Sequence, residues 1–370
     1  MKKIVITNND KYGRITAVYE NDILIGLRFE DDNVSEGDVI VSKVMEKTDG
    51  IGAYFVKLTD NEKGFLRTDK ELKVGDKLPV RIKKEKTGNK CAVVTDRISL
   101  IGDYTVLDMK ETGVSISRKI EDEAFKKKIK SEINAEGLIV RTKSYSQYLK
   151  TGNIDFIKEE AKKLKEIIYV VKNNSSYLKE GTIIYKSNPP WKSGIDDEAI
   201  IITDDKSVYD ECVDSLRNIE MRYYDDDYSL SKLYGIEGDI KRLFEKRVWL
   251  KSGANIVIEE TESLTSIDIN TAKYERGSKK EDTFLKINTE ALREIIRQII
   301  LREISGIIIV DFINMKSKES INLLENEIDK VLQEMPYSDI VFYGFTKLGL
   351  GEFSRRRKRP SLKERWRKYE

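Results

Sequence analysis

Two stretches, SLTSIDIN (263–270) and GIIIVDF (306–312), decide the fold of this chain. Each is an apolar, strand-like run that carries an aspartate late in the strand, Asp268 in the first and Asp311 in the second. The segment between them, NTEALREIIRQIILREI (288–304), has the apolar spacing of an amphipathic helix. A strand, a helix and a second strand make a βαβ unit with parallel strands, so both aspartates are predicted at one edge of the sheet.

The two carboxylates predict a site for a hard divalent cation such as Mg²⁺, with Mn²⁺ as an alternative ion. Strand alternation places Ser266, Asp268 and Asn270 on one face, where polar groups are costly unless they are paired or bind a cation. The run 306–310 predicts a buried parallel strand that ends in Asp311. Asp268 and Asp311 are the expected metal ligands, with Asn270 orienting one of them or binding a water. The alternative is that both aspartates are structural, capping helix N-termini or bonding a buried arginine.

Composition narrows the class of protein. The 370 residues suggest two or three domains. The net charge of +2 is too small to indicate which class of molecule the protein binds. The absence of histidine excludes a Ser-His-Asp triad, a Cys-His pair and any histidine-bound metal. Cys91 and Cys212 lie far apart, so neither a disulfide framework nor a zinc cluster is expected within the chain, which fits a cytoplasmic location. No apolar run approaches the roughly 20 residues of a membrane span, and the N-terminal apolar run is too short for a signal peptide.

Residues 36–99 contain five strand candidates separated by turns, which is the size of an OB-fold barrel. Phe55 and Phe65 flank one turn, where exposed aromatic rings can stack on unpaired bases. The alternative is that both rings belong to the barrel core.

Two further groups of residues are candidates for contacts with phosphate. Arg141 and Thr142 close the apolar strand GLIV, where an arginine beside a hydroxyl suits phosphate recognition. A surface salt bridge is the alternative for Arg141. The run RRRKR (355–359) is basic enough to bind nucleic acid, or it is a solvated surface stretch.

Several motifs, taken in order, resemble the ribonuclease E/G endoribonucleases. The most specific are ESLTSIDINTAKYERG (262–277), NTEALREIIRQIILREISGIIIVDFINM (288–315) and LGLGEFSRRRKRPSL (348–362). The resemblance implies a multi-subdomain α/β (α+β) chain, in which an RNase H-like subdomain is split by insertion of an S1-type OB barrel and a 5′-sensor subdomain. A DNase I-like subdomain then follows. The implied bounds, in that order, are 1–32 with 187–244, 33–99, 100–186 and 245–370.

The resemblance also implies the activity and the site residues. The activity is Mg²⁺-dependent hydrolysis of single-stranded RNA in RNA processing and decay, which leaves 5′-phosphate and 3′-hydroxyl ends. The metal ligands fall on Asp268 and Asp311, with Asn270 beside them and Glu262 nearby. The implied RNA contacts are Phe55, Phe65 and Lys90 on the barrel, and the implied pocket for a 5′-monophosphate is formed by Gly102, Val106, Arg141 and Thr142.

Two departures from the family pattern change what is expected of this chain. Asp339 stands where the family has a further arginine in its sensor pocket, and a carboxylate repels a terminal phosphate, so strong 5′ sensing is not expected. The cysteine pair that many members carry after the PSL segment is missing, so neither a zinc site nor a zinc-linked dimer is expected, while other homo-oligomers stay open. An alternative function is therefore a catalytically silent or weak RNA-binding protein on the same scaffold.

Overall fold

The computed structural model describes residues 2–9, 11–30, 34–48, 52–86, 90–187, 199–215, 219–271, 280–335, 338–357 and 359–366. The chain divides into two compact units. The first unit is Met1–Glu30 with Asp196–Glu370, and the second is Asp31–Ile195. The turn-rich stretch SNPPWKSG (187–194), at the implied boundary between residues 186 and 187, lies outside the described residues apart from Ser187.

The strands and helices follow in chain order. The N-terminal strands are β1 (Lys2–Asn9), β2 (Gly13–Glu20) and β3 (Ile23–Glu30). The second unit contains β4 (Val39–Thr48), β5 (Ala53–Lys57), β6 (Lys63–Arg67), β7 (Lys77–Lys84), β8 (Ala92–Thr95), β9 (Ser99–Ile101), β10 (Thr105–Asp108), β11 (Val114–Ile116), α1 (Glu123–Glu132), β12 (Leu138–Val140), α2 (Thr142–Thr151), α3 (Asp155–Asn173), a short 3₁₀ helix (Ser175–Tyr177) and β13 (Ile183–Tyr185). The first unit resumes with β14 (Ala199–Thr203), α4 (Lys206–Ser215), β15 (Glu220–Tyr223), α5 (Leu230–Leu233), α6 (Ile236–Arg242), β16 (Arg247–Trp249), β17 (Asn255–Glu260), β18 (Leu264–Asn270), α7 (Lys280–Leu301), β19 (Gly306–Asp311), α8 (Lys318–Glu334), β20 (Ile340–Phe345), β21 (Leu350–Arg355) and α9 (Leu362–Trp366).

One sheet of the first unit joins the two ends of its sequence. Its strand order is β15-β14-β1-β2-β3. β1 is parallel to β14, with Ile4 opposite Ile201, and antiparallel to β2. The N-terminal strands therefore complete their sheet with sequence that lies almost 200 residues further along the chain.

The other sheet of the first unit carries the two aspartate strands. Its order is β16-β17-β18-β19-β21-β20, and β18 and β19 are parallel, as the predicted βαβ unit requires. Helices α7 and α8 cover one face, where residues such as Ile267, Ile295, Val310 and Leu324 form the core. The opposite side is called here the open face.

The prediction that residues 306–310 form a buried parallel strand is wrong in part. β19 is parallel to β18 but antiparallel to β21. Ile307 is 55% exposed, whereas Ile308 is fully buried. The physical reason is that the helices pack on only one face of this sheet, so alternate side chains of an apolar run remain on the open face.

The second unit contains the predicted five-stranded barrel. Strands β4, β5, β6, β8 and β7 are joined in that order, and pairing of β4 with β7 closes the ring. Alternate residues such as Val56, Leu66, Ile82 and Val94 point into its core. β4 also pairs with β13, a strand that is not part of the barrel. The prediction of an OB-like barrel is confirmed.

A smaller mixed sheet follows the barrel. Its order is β11-β12-β10-β9. Helix α3 packs the apolar stripe that its sequence predicts, since Ile157, Ala161, Leu164 and Ile168 are all buried. Helix α2 was not predicted, because its ten residues, TKSYSQYLKT, contain too few apolar side chains to show a helical period.

The described residues form four hydrophobic cores. In the second unit, one core fills the barrel and another lies against the smaller mixed sheet. In the first unit, each of the two sheets has its own core. The assignment of four subdomains with the bounds given above stays a prediction. None of the described helices is both long enough and apolar enough to cross a lipid bilayer.

Candidate functional site

Asp268 and Asp311 lie directly opposite each other on neighbouring parallel strands. Adjacent strands are about 4.8 Å apart, and residues opposite each other project from the same face. Both side chains are exposed on the open face. Like charges directly opposite each other destabilise a sheet unless a counter-charge is present. Within the described part of the chain neither carboxylate has a basic partner or caps a helix, so the structural alternative for the pair is not supported.

Asn270 orients one of the two carboxylates. Its Nδ2 donates a hydrogen bond of 2.7 Å to Oδ2 of Asp268. This contact leaves Oδ1 of Asp268 and both oxygens of Asp311 without a protein donor in the described ranges. The predicted role of Asn270, which is to orient one aspartate or to bind a water, stays a prediction, and the hydrogen bond to Asp268 is consistent with the first of these.

Asn255 is a polar residue of this site that the sequence analysis missed. It lies opposite Asn270 across β17 and β18, and it is only 9% exposed. Its Oδ1 is buried without a hydrogen-bond partner in the described structure. A polar residue at the first position of the apolar strand NIVIEE was the sequence signal that could have identified it.

The donor set fits a hard cation. Mg²⁺ is commonly held by one or two carboxylates together with water and substrate phosphates. Asp268 and Asp311 supply the carboxylates, and the open face leaves room for the other ligands. No group of three or more Asp, Glu, Cys or His side chains within the described ranges is arranged to hold a metal. Within the described residues Asp268 and Asp311 are therefore the two carboxylates that could hold a cation, and further ligands would have to come from water or substrate.

Glu262 is not part of this centre. It precedes β18, in the turn after β17, and lies six residues from Asp268. Leu264, the first residue of β18, is four strand residues or about 13 Å from Asp268, and Glu262 lies before it. The expectation that Glu262 lies near the metal ligands is therefore wrong.

Phe55 and Phe65 face each other on the surface of the barrel. They are opposite residues of β5 and β6, and their ring centroids are 5.6 Å apart in an edge-to-face arrangement. Both are half-buried, unlike the core residues Val56 and Leu66. Lys90 is exposed just before β8. The rings are thus neither core residues nor fully free, and they form an aromatic surface with an open side.

Arg141 and Thr142 lie at the start of helix α2, which places backbone N–H groups beside them. Nη1 of Arg141 donates to the carbonyl oxygens of Gly102, at 2.6 Å, and Asp103. Thr142 shares a hydrogen bond with Ser117. Among the residues described here Arg141 has no carboxylate partner, so the alternative of a surface salt bridge is not supported.

Glu160 is a second residue that the sequence analysis missed. Its carboxylate accepts hydrogen bonds from the backbone N–H groups of Asp103, Tyr104 and Thr105 and from the hydroxyl of Thr105, at distances of 2.6 to 3.3 Å. A Cβ at Gly102 would lie 2.4 Å from Cδ of Glu160, so a larger residue at this position would push the carboxylate away from its hydrogen-bond donors. Burial raises the pKa of Glu160, and the hydrogen bonds from Thr105, Tyr104 and Asp103 oppose that rise. A charged residue within the apolar stripe of α3 was the signal that could have identified it.

The loop that Glu160 holds is the loop that holds Arg141. Gly102 and Asp103 present their carbonyl oxygens to the guanidinium, and Tyr104 accepts from the backbone N–H of Arg141 and from the hydroxyl of Ser144. Val106 lies on β10 directly after this loop, opposite Ile101 and Ile139. The structure thus brings the four predicted phosphate-pocket residues together around one loop.

Glu160→Gln is expected to lower the stability of the second unit by about 2 kcal/mol. The amide keeps one acceptor oxygen but turns its NH₂ group towards backbone donors that then lose their partner. Urea denaturation followed by circular dichroism measures the change. Glu159→Gln, on the exposed side of the same helix, is the control and should leave the free energy of unfolding within about 0.5 kcal/mol. Equal stabilities of the two variants would contradict this role of Glu160.

The basic run 355–359 is used largely inside the first unit. Arg355 is only 10% exposed, and it donates to the carbonyl oxygens of Ser338 and Ile304 and pairs with Glu303. Arg357 pairs with Glu364. Lys358 lies outside the described residues. These contacts of Arg355 and Arg357 favour a structural role over nucleic-acid binding for this run.

The structure is that of a mixed α/β protein with an OB-like barrel and with two aspartates opposite each other on an open sheet face. A family model for the ribonuclease E/G family matches residues 99–358. The chain belongs to the ribonuclease E/G family. The matched range includes every predicted site residue except Phe55, Phe65 and Lys90, which lie on the barrel.

Named relatives agree with this assignment. A putative ribonuclease E from Buchnera aphidicola subsp. Baizongia pistaciae is 33% identical over 305 residues, which cover 77% of this chain and 72% of the relative. Ribonuclease E from Buchnera aphidicola subsp. Schizaphis graminum is 31% identical over 79% of this chain. Ribonuclease G from Haemophilus influenzae is 29% identical over 78% of it. The chain spans only 32% and 61% of the lengths of these last two relatives.

Proposed function

We propose that this chain is a divalent-cation-dependent endoribonuclease, which cuts single-stranded RNA internally during RNA processing and decay in the cytoplasm. The observation that carries the proposal is the pairing of Asp268 with Asp311 in register on an open sheet face, in a chain of the ribonuclease E/G family. A histidine-free chain needs a cation or a network of carboxylates to activate water for phosphodiester hydrolysis.

Asp268 and Asp311 would hold the cation, which is Mg²⁺ or Mn²⁺. When bound, such an ion supplies Lewis-acid activation of water and neutralises charge on the scissile phosphate. Asn270 fixes the orientation of the Asp268 carboxylate through its 2.7 Å hydrogen bond. Water adds to the phosphorus as the bond from phosphorus to the 3′ oxygen breaks, so the products carry a 5′-phosphate and a 3′-hydroxyl.

Phe55, Phe65 and Lys90 would bind the RNA through the barrel. The edge-to-face pair leaves one side of the aromatic surface open for a base, and stacking is worth about 1–3 kcal/mol per base. Lys90 is exposed and can contact a phosphate. OB-like barrels commonly bind single-stranded nucleic acid in this way.

Gly102, Val106, Arg141 and Thr142 would form the pocket for a 5′-monophosphate. Support comes from the loop that fixes the guanidinium and from the helix N-terminus beside it. Asp339, which is expected at the position of a further family arginine, adopts a left-handed backbone conformation with φ of 55° just before β20. A carboxylate cannot replace the positive charge, so stimulation by a 5′-monophosphate is expected to be weak.

A cleavage assay tests the proposed function. Purified protein is incubated with a labelled, unstructured RNA in Mg²⁺ and in EDTA, and the ends of the products are mapped. We expect internal cuts in Mg²⁺ that EDTA stops, with 5′-phosphate and 3′-hydroxyl ends, and at most a small gain for 5′-monophosphate over 5′-hydroxyl RNA. Binding without cleavage would instead support the catalytically silent RNA-binding protein, and trimming from one end would contradict both.

A further inference from the structure

Trp249 is a large aromatic side chain that stands on the open face of the aspartate-bearing sheet. It ends the edge strand β16 and is 65% exposed. Its neighbour Val248 packs against the core of the same sheet. The guanidinium of Arg247 lies over the indole, with Cζ 5.9 Å from the ring centroid. Tryptophan combines a large apolar ring with an N–H donor, and it is enriched where proteins contact other molecules.

The strand register places Trp249 beside the two-carboxylate centre. Trp249 is opposite Asn255 on β17, and Asn255 is opposite Asn270 on β18. Opposite residues share a face, so the indole lies on the open face in the same row as Asn270. Two strand spacings, or about 10 Å, separate the backbone of Trp249 from that of Asn270. Asn270 is the residue that holds Asp268.

Arg247 lies in the adjacent row, which contains the metal ligands. This row runs across four neighbouring strands. It contains Arg247 on β16, Val257 on β17, Asp268 on β18 and Asp311 on β19. Arg247 is exposed and has no carboxylate within salt-bridge distance among the residues described here. The guanidinium of Arg247 and the indole of Trp249 therefore lie side by side. Two strand spacings, or about 10 Å, separate the backbone of Arg247 from that of Asp268.

We propose that Trp249 and Arg247 form a stacking platform for one unpaired base of the RNA, within one or two nucleotides of the phosphate that is cut. The inference rests on the proposed function. The indole stacks on the base, which any base permits because each has a π-face. Arg247 covers one face of the indole, which leaves the other face for the base, and its guanidinium contacts the neighbouring phosphate. The polar amide of Asn255 lies between this platform and Asn270, so the platform is continuous with the candidate catalytic centre.

The first test is a fluorescence titration that needs no cleavage. Trp191 and Trp366 are replaced by phenylalanine, so Trp249 becomes the only tryptophan of the chain. A short unstructured RNA is then added to the full chain in EDTA. Stacking predicts saturable quenching of Trp249 emission at the concentrations at which the RNA binds. Binding without any change in the emission of Trp249 would overturn the proposal.

The second test compares abasic substrates with variants of Trp249. Removing one base at successive positions around the cut should identify a position where the wild-type kcat/KM falls about 5- to 150-fold. Trp249→Ala should fall by a similar factor on intact RNA and show no further loss on that abasic RNA. Trp249→Phe should retain most of the activity, because the ring is kept.

Tyr343 provides the matched control. It is 68% exposed on β20, at the far edge of the same sheet, and no predicted site residue lies beside it. Tyr343→Ala should leave both the cleavage rate and the abasic profile within about twofold of wild type. Additive losses from Trp249→Ala and the abasic position would overturn the platform, as would a Trp249→Ala variant that changes only the oligomeric state. Absence of cleavage by the wild type would reject the proposed function but leave the fluorescence test of the platform in place.

Discussion

Asp268→Asn is expected to lower the single-turnover rate of RNA cleavage about 10³-fold or more. A cation at such a site supplies several kcal/mol of transition-state stabilisation, and each 1.36 kcal/mol is a factor of ten in rate. Asn270 donates to Oδ2 of Asp268, and the carboxamide oxygen of an asparagine can accept the same hydrogen bond, so the fold should be kept. Asp311→Asn should have the same effect, because Asp311 lies directly opposite Asp268 and would hold the same cation.

Two measurements separate loss of catalysis from loss of binding. RNA affinity in EDTA should stay within about threefold for both variants, because the barrel contacts are untouched. Glu352→Gln is the matched control. Glu352 lies on β21, opposite Ile309 of β19, and its carboxylate is exposed on the same open face. Its cleavage rate should stay within severalfold of wild type. A variant of Asp268 or Asp311 that keeps full activity would reject the assignment of the metal ligands.

Glu303→Gln is expected to cost the first unit about 3 kcal/mol of stability, because removing one partner of a buried ion pair leaves the other charge unpaired. Glu303 follows α7 and pairs with both Arg28 on β3 and Arg355 on β21. Its side chain is 14% exposed and that of Arg355 is 10% exposed. This carboxylate therefore links the N-terminal strands to the sheet that carries the aspartates. Urea denaturation of the full chain measures the loss.

The effect of Glu303 should depend on pH. Burial would raise the pKa of Glu303, but Arg28, Arg355 and Arg359 outweigh burial and hold the pKa below its usual value. A lowered folded-state pKa means that the stabilisation is present above about pH 4.5 and is lost as the pH falls through the folded-state value. The difference between wild type and Glu303→Gln should therefore shrink in acid.

An exposed ion pair of the same unit is the control for Glu303. Lys246 and Glu259 are 3.1 Å apart with side chains that are 75% and 55% exposed. Solvent screens such pairs, so Glu259→Gln should leave stability within about 1 kcal/mol of wild type. Similar losses for the two variants, or a loss at Glu303 that does not change with pH, would contradict the account of the buried cluster.

The central pair of the site was predictable from local sequence alone. Strand, helix and strand in succession, with an aspartate late in each strand, leave one arrangement that brings Asp268 and Asp311 to the same sheet edge. The observed register, with the two residues directly opposite, agrees with that prediction. The five barrel strands were predictable for a similar reason, since alternating apolar residues and turns of residues 36–99 are local signals.

Other features depended on contacts that no local pattern contains. Glu160 bonds a loop that lies 55 to 57 residues earlier in the chain, so its role follows from tertiary packing alone. The exposure of Ile307 and Trp249 follows from helices that cover a single face of the sheet, which an apolar run cannot show. The expectation for Glu262 came from the family resemblance, and it failed because Asp268 lies near the end of β18 whereas Glu262 precedes the first residue of that strand, Leu264.

The most direct test of the two-carboxylate centre is a crystal structure of the full chain in Mn²⁺, with anomalous scattering to locate the ion. We predict an anomalous peak on the open face with one carboxylate oxygen of Asp268 and one of Asp311 each about 2.1 Å from it. A peak bound by only one of the two aspartates, or manganese sites elsewhere with none between them, would contradict the account.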